Sequence, residues 1–257
     1  MKLFHICTIS NDLNQYQKMK ASFLDAGFDE DRCRYSLFDN SNANSFDPYE
    51  TFNRIKSTTV EPYIIFCHQD ILLNQETNIS YLFDLLKQLE QIDPNWAIAG
   101  NAGVNNHYQL VIKITDPNHF PNWTGSFPQL VHSLDENFLV IKTSASVSCS
   151  GELRGFHFYA TDLCLNAIRN GHSCYVINFH ITHLSGGKSS ASEDYCEIQD
   201  IFYEKWCNQF RFCYVRTVTG KTLCLSNSKT LRAIGSRGRI ANFLIGTDRL
   251  RSFVSPY

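Results

Sequence analysis

Two side chains of this 257-residue sequence have the chemistry of ligands for a divalent cation, and each comes at the end of an apolar run. Asp70 follows the run 62–67, and His68 lies two residues before it. An acid in a loop after a buried strand, where phosphate groups can reach it, is a natural ligand for a hard cation. His183 closes the run 174–183 and precedes a glycine-rich turn, which lets the backbone approach a ligand closely. Together the two residues would offer one oxygen and one imidazole ligand, and phosphate oxygens would complete the shell.

Each of these residues also has a structural interpretation. Asp70 would cap the turn that follows it, and the two histidines would be strand-end side chains with local hydrogen bonds. The His-x-Asp motif is a weak signal alone, whereas the order and context of Asp70 and His183 favour function. The metal interpretation requires that these side chains, more than 100 positions apart, meet in the fold.

Alternating strand and helix patterns position Asp70 in the first part of the chain. Short apolar runs predict strands at 2–9, 34–38, 62–67 and 96–100. Helical patterns lie between them, and such β-α-β units predict the α/β class, with a mostly parallel, Rossmann-like sheet flanked by helices. Ligands of these sheets bind beyond the carboxyl ends of the strands. Asn11, Asp39 and Asp70 fall at predicted strand ends, so we expect them to face one crevice.

Capping residues mark the start of two of the helices. Asp12 follows the first strand and precedes a helical pattern that stops at Gly27. Asp47 precedes Pro48 and Glu50, which gives an N-cap, a proline at the first helical position and the glutamate of a capping box. These signals predict helices that start directly after Asp12 and Asp47.

The second half of the sequence is less regular. Residues 101–128 are rich in Asn, Gly, Pro and aromatic residues, which predicts a long loop. Strands are predicted at 110–114, 137–142 and 174–183, and helices at 161–170 and 189–206. The sequence contains no internal repeat and no low-complexity tract.

Composition indicates a soluble chain with one large domain, or one domain with a short appendage. The sequence is 43% apolar and 19% charged with a net charge of −2, which argues against a disordered chain. No apolar run approaches the roughly 18 residues of a membrane span, and the chain start lacks a secretory signal pattern, so we expect a cytoplasmic protein. Ten scattered cysteines without a Cys-x-x-Cys pair predict reduced core thiols.

Charge is unevenly distributed along the chain. Residues 211–257 carry nine Lys and Arg against one acid, a charge of +8, so residues 1–210 carry −10. A basic segment on an acidic body implies an anionic partner such as phosphate, a lipid head group or nucleic acid. Apolar residues among the arginines of 237–251 favour an anionic membrane surface, with the protein peripheral on the inner face of the cell membrane. Nucleic acid is disfavoured because no nucleic-acid-binding motif accompanies the charge, and a solvated C-terminus is the remaining alternative.

Four segments, in order, carry a more specific signal than any single residue. They are YIIFCHQD at 63–70, LDENFLVI at 134–141, GFHFYATDLCL at 155–165 with Gly171 beyond it, and HLSGG at 183–187 followed by Lys205 and Trp206. Their order and spacing resemble those of bacterial family-2-type glycosyltransferases of the StrF-like group. The resemblance covers about residues 1–210. It implies a GT-A fold with a nucleotide-sugar-binding half at 1–100 and an acceptor half at 101–210, followed by the basic segment 211–257.

The resemblance also implies a reaction. A transferase of the hexosyltransferase type would move a sugar from a nucleotide-sugar donor, with a UDP-sugar favoured, to a hydroxyl of a bacterial glycan or lipid-linked saccharide in polysaccharide biosynthesis. The family favours inversion at the anomeric carbon. A divalent metal, Mn²⁺ or Mg²⁺, would neutralise the leaving diphosphate, where negative charge develops.

Matching positions give the site residues that the resemblance implies. On the donor side these are Asn11, Asp39, Asn53, His68, Gln69 and Asp70. The metal ligands are Asp70 and His183. The acceptor side comprises Asp135, Glu136, His157 and Tyr159. The last two, with Trp123, Phe127 and Phe156, would form a stacking wall, although ordinary core packing is the better explanation for at least half of these five side chains.

One departure from the family concerns the catalytic base. The family has Tyr-Asp-x-Asp at a helix start, whereas this sequence has Tyr159, Ala160, Thr161 and Asp162. An inverting transferase needs a carboxylate to accept the proton of the attacking hydroxyl, and Ala160 cannot do this. Asp162 would serve if it points into the cleft, with helix capping as the alternative, and Glu152 is a more distant substitute. A second hypothesis is therefore a nucleotide-sugar-binding protein that has lost catalysis.

Overall fold

The computed structural model describes residues 1–74, 76–116, 119–184, 193–210, 212–218 and 222–235, except for the side chains of 119–122 and 193–194. The helices are α1 (Leu13–Asp25), α2 (Pro48–Thr58), α3 (Ile79–Ile92), α4 (Tyr159–Arg169), α5 (Glu193–Cys207) and α6 (Lys229–Gly235). The strands are β1 (Phe4–Ser10), β2 (Cys33–Asp39), β3 (Tyr63–Cys67), β4 (Ile71–Leu72), β5 (Trp96–Gly100), β6 (Ala102–Asn105), β7 (Leu110–Asp116), β8 (His119–Thr124), β9 (Gln129–Leu134), β10 (Phe138–Lys142), β11 (Ser173–Val176), β12 (Ile181–His183), β13 (Cys213–Arg216) and β14 (Thr222–Leu225). None of the described helices is both long and apolar enough to cross a membrane.

The first three strands build the expected parallel β-α-β core. β1 pairs in parallel with β2 on one side and with β3 on the other. Ser10 lies opposite Asp39 in the β1–β2 pair, and Cys7 lies opposite Phe66 in the β1–β3 pair. The carboxyl ends of the three strands therefore lie along one edge of the sheet, and the loops that follow them meet there.

Most of the remaining sheet is antiparallel. The strand order is β2-β1-β3-β10-β5-β11-β9-β6-β7-β12-β4, with β8 beside β7. β10 runs antiparallel to both β3 and β5, and β6 runs antiparallel to β7 and β9. Parallel pairs in this half join β5 to β11 and β7 to β12. The α/β sheet is thus mixed, with its Rossmann-like part at β1–β3.

Two cores lie on opposite faces of the sheet because successive side chains of a strand point to opposite faces. In β3, Ile65 packs in the core that contains α1 and α3, whereas Ile64 packs in the core that contains α2, α4 and α5. Each helix turns an apolar stripe toward the sheet, and the stripe of α3 comprises Ile79, Leu82, Leu86 and Leu89. All ten cysteines have free thiols and nine are buried, in agreement with the predicted core thiols.

The predicted helix caps are confirmed. The Asp12 side chain accepts hydrogen bonds from two backbone N–H groups at the start of α1. Asp47 does the same for α2, and Pro48 occupies the first position of that helix. Each carboxylate thus satisfies N–H groups that a helix start leaves without intrahelical partners.

The segment after residue 210 begins inside the main body of the fold. The β13–β14 hairpin contributes Val215 and Leu225 to the core around α4 and α5. Ser133 Oγ of β9 donates a 2.6 Å hydrogen bond to the Arg216 carbonyl, and the Arg216 guanidinium donates one of 2.6 Å to the Tyr108 carbonyl. The hairpin strands are therefore packed on the sheet, and residues 236–257 of the predicted basic segment lie outside the described part.

Candidate metal centre and adjoining pocket

Asp70 and His183 are brought together by a short antiparallel strand pair. β4 begins directly after Asp70, β12 ends at His183, and Ile71 lies opposite His183 in their pairing. The Leu184 N–H donates a 2.7 Å hydrogen bond to the Asp70 carbonyl, which extends the pairing by one step. β7 holds β12 from its other side. The sheet thereby places two side chains in contact that are more than 100 positions apart in sequence.

His68, Asp70 and His183 form a compact cluster of metal-ligand atoms. His183 Nε2 lies 3.4 Å from Asp70 Oδ1, and His68 Nδ1 lies 3.9 Å from the same oxygen. One ligand atom from each residue lies within 4.8 Å of the other two. His183 Nε2 is buried and has no partner in hydrogen-bond geometry among the described residues. An orphaned nitrogen beside a carboxylate fits a bound cation, because the cation would accept one lone pair from the nitrogen and one from the carboxylate oxygen.

Burial and neighbouring charges act differently on the two histidines. Burial lowers the pKa of His68, which favours the neutral imidazole that binds metals. Burial also acts to lower the pKa of His183, but the Asp70 carboxylate outweighs it and raises that pKa, with smaller contributions from Asp135 and Asp116. The cluster thus lies in a negative field, which favours a cation.

A tyrosine hydroxyl joins the cluster to the next part of the site. Tyr159 is buried at the start of α4, and its ring lies edge-on to Tyr49 and Phe66. Its hydroxyl donates to the Glu136 carbonyl at 3.0 Å and lies 3.1 Å from His68 Nε2. The sequence predicts an acceptor contact for Tyr159, whereas the structure buries it as a support between His68 and Glu136.

A small pocket of about 40 Å³ adjoins Glu136. Three of the four predicted acceptor-side residues line it, namely Asp135, Glu136 and His157. The other lining residues are Leu134, Phe158, Thr161, Tyr195, Thr217 and Val218. Of these, Tyr195 lies in α5 and Thr217 and Val218 follow β13. Sequence reasoning missed these three because only long-range packing of α5 and the hairpin brings them to the pocket.

The Glu136 carboxylate faces the first turn of α4. Hydrogen bonds from the backbone N–H groups of Phe158, Tyr159 and Ala160 favour its ionised form. Burial and the neighbouring Asp135 carboxylate act more strongly in the other direction and raise the pKa of Glu136 well above its usual value. A half-buried carboxylate with a raised pKa in a pocket is the arrangement expected of a proton-accepting group.

The two predicted catalytic acids, Asp162 and Glu152, lie outside the lining of this pocket. Asp162 is fully buried, and its oxygens accept hydrogen bonds from Ser150 N at 2.7 Å, Ser150 Oγ at 2.6 Å and Trp206 Nε1 at 2.9 Å. Burial raises its pKa, which these hydrogen bonds partly offset, and it makes no capping bond to α4. Glu152 is exposed and pairs with Lys205 at 2.9 Å, which lowers the pKa of Glu152. Asp162 is thus a core group, and Glu152 is a surface group outside the pocket lining.

Ala160 and Asn53 also have structural surroundings. Ala160 is completely buried in α4, so the family's base position is enclosed in the core of this protein. The Asn53 amide donates to the Cys149 carbonyl at 2.9 Å and accepts from the Cys149 N–H at 2.8 Å. Asn53 therefore holds the segment before α4 against α2, and its predicted contact with a nucleoside stays a prediction.

Asn11, Gln69 and Asp39 lie at the carboxyl edge of the parallel strands. Gln69 Oε1 accepts from the backbone N–H groups of Asn11 and Asp12 at 2.8 and 3.1 Å, and Gln69 Nε2 donates to Asn11 Oδ1 at 2.6 Å. Asp39 is exposed at the end of β2, and hydrogen bonds from Ser41 lower its pKa. Gln69 thus ties the loop after β1 to the loop after β3, while Asn11 and Asp39 remain exposed.

The predicted aromatic wall is dispersed. Trp123 is 55% exposed, and the Lys113 ammonium lies 3.5 Å from its ring centre. Phe127 packs against the core and also flanks Lys113, whereas Phe156 is largely exposed. Among the five aromatic-wall candidates, His157 is the one that lines the pocket in the described structure.

Comparisons with known proteins bear on the family and on the fold. No family model matches the chain. The chain is 30% identical, over 225 residues, to the Fuscovulum blasticum protein named ATP synthase subunits region ORF 6, and the match covers 85% of this chain and 89% of that protein.

Two solved structures match the chain at low sequence identity. Staphylococcus aureus TarS 1–349, in complex with UDP-GlcNAc, matches with a TM-score of 0.51 and 14% identity over 81% of this chain and 67% of that chain. A197 from STIV matches with a TM-score of 0.45 and 10% identity over 72% of this chain and 86% of that one. The similarity to TarS confirms the α/β, GT-A-type fold class.

Proposed function

We propose that this chain, which belongs to the same family as the Fuscovulum blasticum ORF 6 protein, transfers the sugar of a nucleotide sugar to an acceptor hydroxyl. The observation that carries the proposal is the cluster of Asp70, His183 and His68, with an orphaned nitrogen, next to a pocket that contains an acid. A fold that binds UDP-GlcNAc in TarS supports a nucleotide-sugar donor, with a UDP-sugar favoured.

The donor would lie along the carboxyl edge of β1–β3. Asn11 and Asp39 are exposed there for contacts with the nucleoside, and Gln69 holds the loop that carries Asn11. Asp70 and His183 would hold a divalent cation, Mn²⁺ or Mg²⁺, and the unpartnered His183 Nε2 beside the Asp70 carboxylate fits one. When bound, such a cation supplies positive charge beside a diphosphate on which negative charge develops.

The acceptor hydroxyl would enter the pocket beside Glu136. Its oxygen forms a bond to the anomeric carbon, the bond from that carbon to the diphosphate oxygen breaks, and the electron pair leaves with the diphosphate. The hydroxyl proton passes to the Glu136 carboxylate, whose raised pKa makes it a stronger base when ionised. Attack opposite the leaving group gives inversion. A bacterial glycan or lipid-linked saccharide is the acceptor class that the StrF-like resemblance implies.

A donor panel tests the proposal. The full chain is incubated with UDP-, GDP- and dTDP-sugars and either Mn²⁺ or Mg²⁺, and release of nucleoside diphosphate is measured. We expect turnover with at least one donor, lost by at least about 100-fold in Asp70→Asn. Asp84→Asn, which changes an exposed carboxylate on α3, is the matched control and keeps full activity. Turnover equal in Asp70→Asn and wild type would exclude the site.

A second function is favoured by the residue at position 160, since Ala160 has no carboxylate. In this alternative the chain binds nucleotide sugars without transferring them, because the family's base is missing. Calorimetry separates the two functions: donor binding with no turnover in wild type, and no further change in Glu136→Gln, would support the binding protein.

A further inference from the structure

We propose that His68 is a third metal ligand, bound through Nδ1, so that the centre has two histidines and one carboxylate and prefers a transition-metal ion over Mg²⁺. The inference deepens the proposed function, on which the use of the cation in sugar transfer rests. Cation binding itself is tested independently of transfer.

The distances within the cluster fit one cation with three ligands. Bonds of about 2.0–2.2 Å to nitrogen and oxygen place neighbouring ligand atoms roughly 3–4 Å apart. His183 Nε2 and His68 Nδ1 lie 3.4 and 3.9 Å from the same Asp70 oxygen. The imidazole ring centres are 6.2 Å apart and inclined by 42°, so the rings face the carboxylate without stacking on each other. Only small movements would therefore complete a three-ligand site.

The Tyr159 hydroxyl determines which nitrogen of His68 is available. This hydroxyl has one proton, and the Glu136 carbonyl at 3.0 Å can only accept it. The 3.1 Å contact between Tyr159 Oη and His68 Nε2 must then have the imidazole as donor. A neutral imidazole protonated at Nε2 has its lone pair on Nδ1, the atom that faces Asp70. Tyr159 is thus a positioning residue for a metal-binding His68.

The ligand types select the cation. Two imidazole nitrogens and one carboxylate suit Zn²⁺, Co²⁺, Fe²⁺ and Mn²⁺, whereas Mg²⁺ prefers oxygen ligands and retains much of its water. An aspartate at position 68 would supply an oxygen ligand instead. With His68 there, we expect Co²⁺ and Mn²⁺ to bind at least about tenfold more tightly than Mg²⁺.

Metal titrations of the full chain, freed of metal by a chelator, test the assignment. Calorimetry gives the affinities for Co²⁺, Mn²⁺ and Mg²⁺, and the visible absorption of bound Co²⁺ reports its nitrogen ligands. We expect His68→Ala to lose about 10- to 100-fold in Co²⁺ affinity with a changed spectrum, and Tyr159→Phe to lose about tenfold. His68→Asp should bring the Mn²⁺ and Mg²⁺ affinities closer together. His172→Ala, a histidine outside the cluster, is the matched control.

The outcomes separate this inference from the proposed function. An unchanged Co²⁺ affinity and spectrum in His68→Ala would overturn the third ligand, and so would an unchanged Mn²⁺ to Mg²⁺ preference in His68→Asp. Absence of any cation binding in wild type would overturn the whole centre. Cation binding as described, without turnover of any nucleotide sugar, would support the metal centre and exclude the proposed transferase function.

Discussion

Glu136 has the surroundings that the proposed base requires, although this sequence has Ala160 where the StrF-like glycosyltransferases that it resembles have their base. Its carboxylate lies at the start of α4, the helix that carries Ala160, and reaches the backbone of that first turn from the neighbouring loop. Under the proposed function, the base would therefore come from a different segment at the same end of the helix. An acid after β9 gives no sequence signal for this role, because the role depends on how the loop meets α4.

Replacing Glu136 with Gln removes the proton acceptor and keeps the side-chain shape. We expect the rate of transfer to fall about 100-fold or more, with donor and cation affinities unchanged. In wild type, activity should rise with pH through the raised pKa of Glu136, because only the ionised form accepts a proton. Steady-state kinetics across pH measures both effects. Glu152→Gln, at an exposed ion pair, is the control, and equal losses in both variants would contradict the assignment.

For Asp162 we expect a substitution to change stability rather than activity, in contrast to Glu136. In Asp162→Asn the amide N–H₂ replaces one oxygen and meets the donors of Ser150 or Trp206, so we expect a loss of about 2 kcal/mol or more in the free energy of unfolding. Urea unfolding measures it, and the activity per folded molecule should be unchanged. Asp84→Asn serves again as the surface control. Lost activity with unchanged stability would return Asp162 to the site.

Among the helices and strands, the sequence predicted the α/β alternation and the capped starts of α1 and α2, but not the Asn78 cap of α3. Those features depend on local patterns: apolar runs, Asp12 and Asp47. The antiparallel insertion of β10 and the short strands β6, β9 and β12 depend on pairings between distant segments, which no local pattern encodes. The burial of Asp162 has a related cause: an acid in the first turn of a helix is typical of a surface position, and it is the packing of α5, with Trp206, that encloses this one.

Three elements are joined by a histidine that must stay neutral. His5 of β1 contacts Ser36 of β2 at 2.8 Å and Thr59 after α2 at 2.7 Å, and it accepts from Arg34 at 2.7 Å. Burial, with the charge of Arg34 as the next cause, lowers the pKa of His5 from 6.5 to about 4. Between these values the unfolded chain binds a proton that the folded chain does not, so stability falls as pH drops from 6.5 toward 4.

Urea unfolding at two pH values tests this junction. From pH 7 to 4.5 we expect wild type to lose roughly 2–3 kcal/mol through His5 alone. His5→Gln, which cannot titrate, should show a correspondingly smaller pH dependence. His172→Gln is the matched control and should keep the wild-type pH dependence. The same pH dependence in His5→Gln and wild type would show that His5 is not the group responsible.

At the scale of the whole molecule, the hairpin determines where a basic segment can begin. Since β13 and β14 pack into the core, we restrict the predicted membrane-binding segment to residues 236–257. These residues include four arginines and one aspartate. The expected contact with an anionic membrane is therefore a prediction about residues 236–257, rather than about the whole stretch from 211. The StrF-like resemblance remains a prediction as well.

Sedimentation with vesicles tests the membrane prediction. The full chain should pellet with phosphatidylserine-containing vesicles, and a chain ending at Gly235 should bind them at least about tenfold more weakly. Neutral phosphatidylcholine vesicles and added salt are the controls, because screening weakens a charge-driven contact. Equal pelleting of the two chains would remove the idea.

The Tyr159 hydroxyl has a thermodynamic consequence that neither end of the site has alone. Its two partners serve different ligands in the proposed site. The His68 imidazole faces the cation, and the Glu136 carbonyl belongs to the residue that would meet the acceptor. A cation that fixes His68, or an acceptor that fixes Glu136, also restricts the Tyr159 hydroxyl between them. The binding free energies of cation and acceptor are therefore coupled, and the coupling must be equal in both directions. Cation and acceptor should each strengthen the binding of the other, and Tyr159→Phe should make them independent.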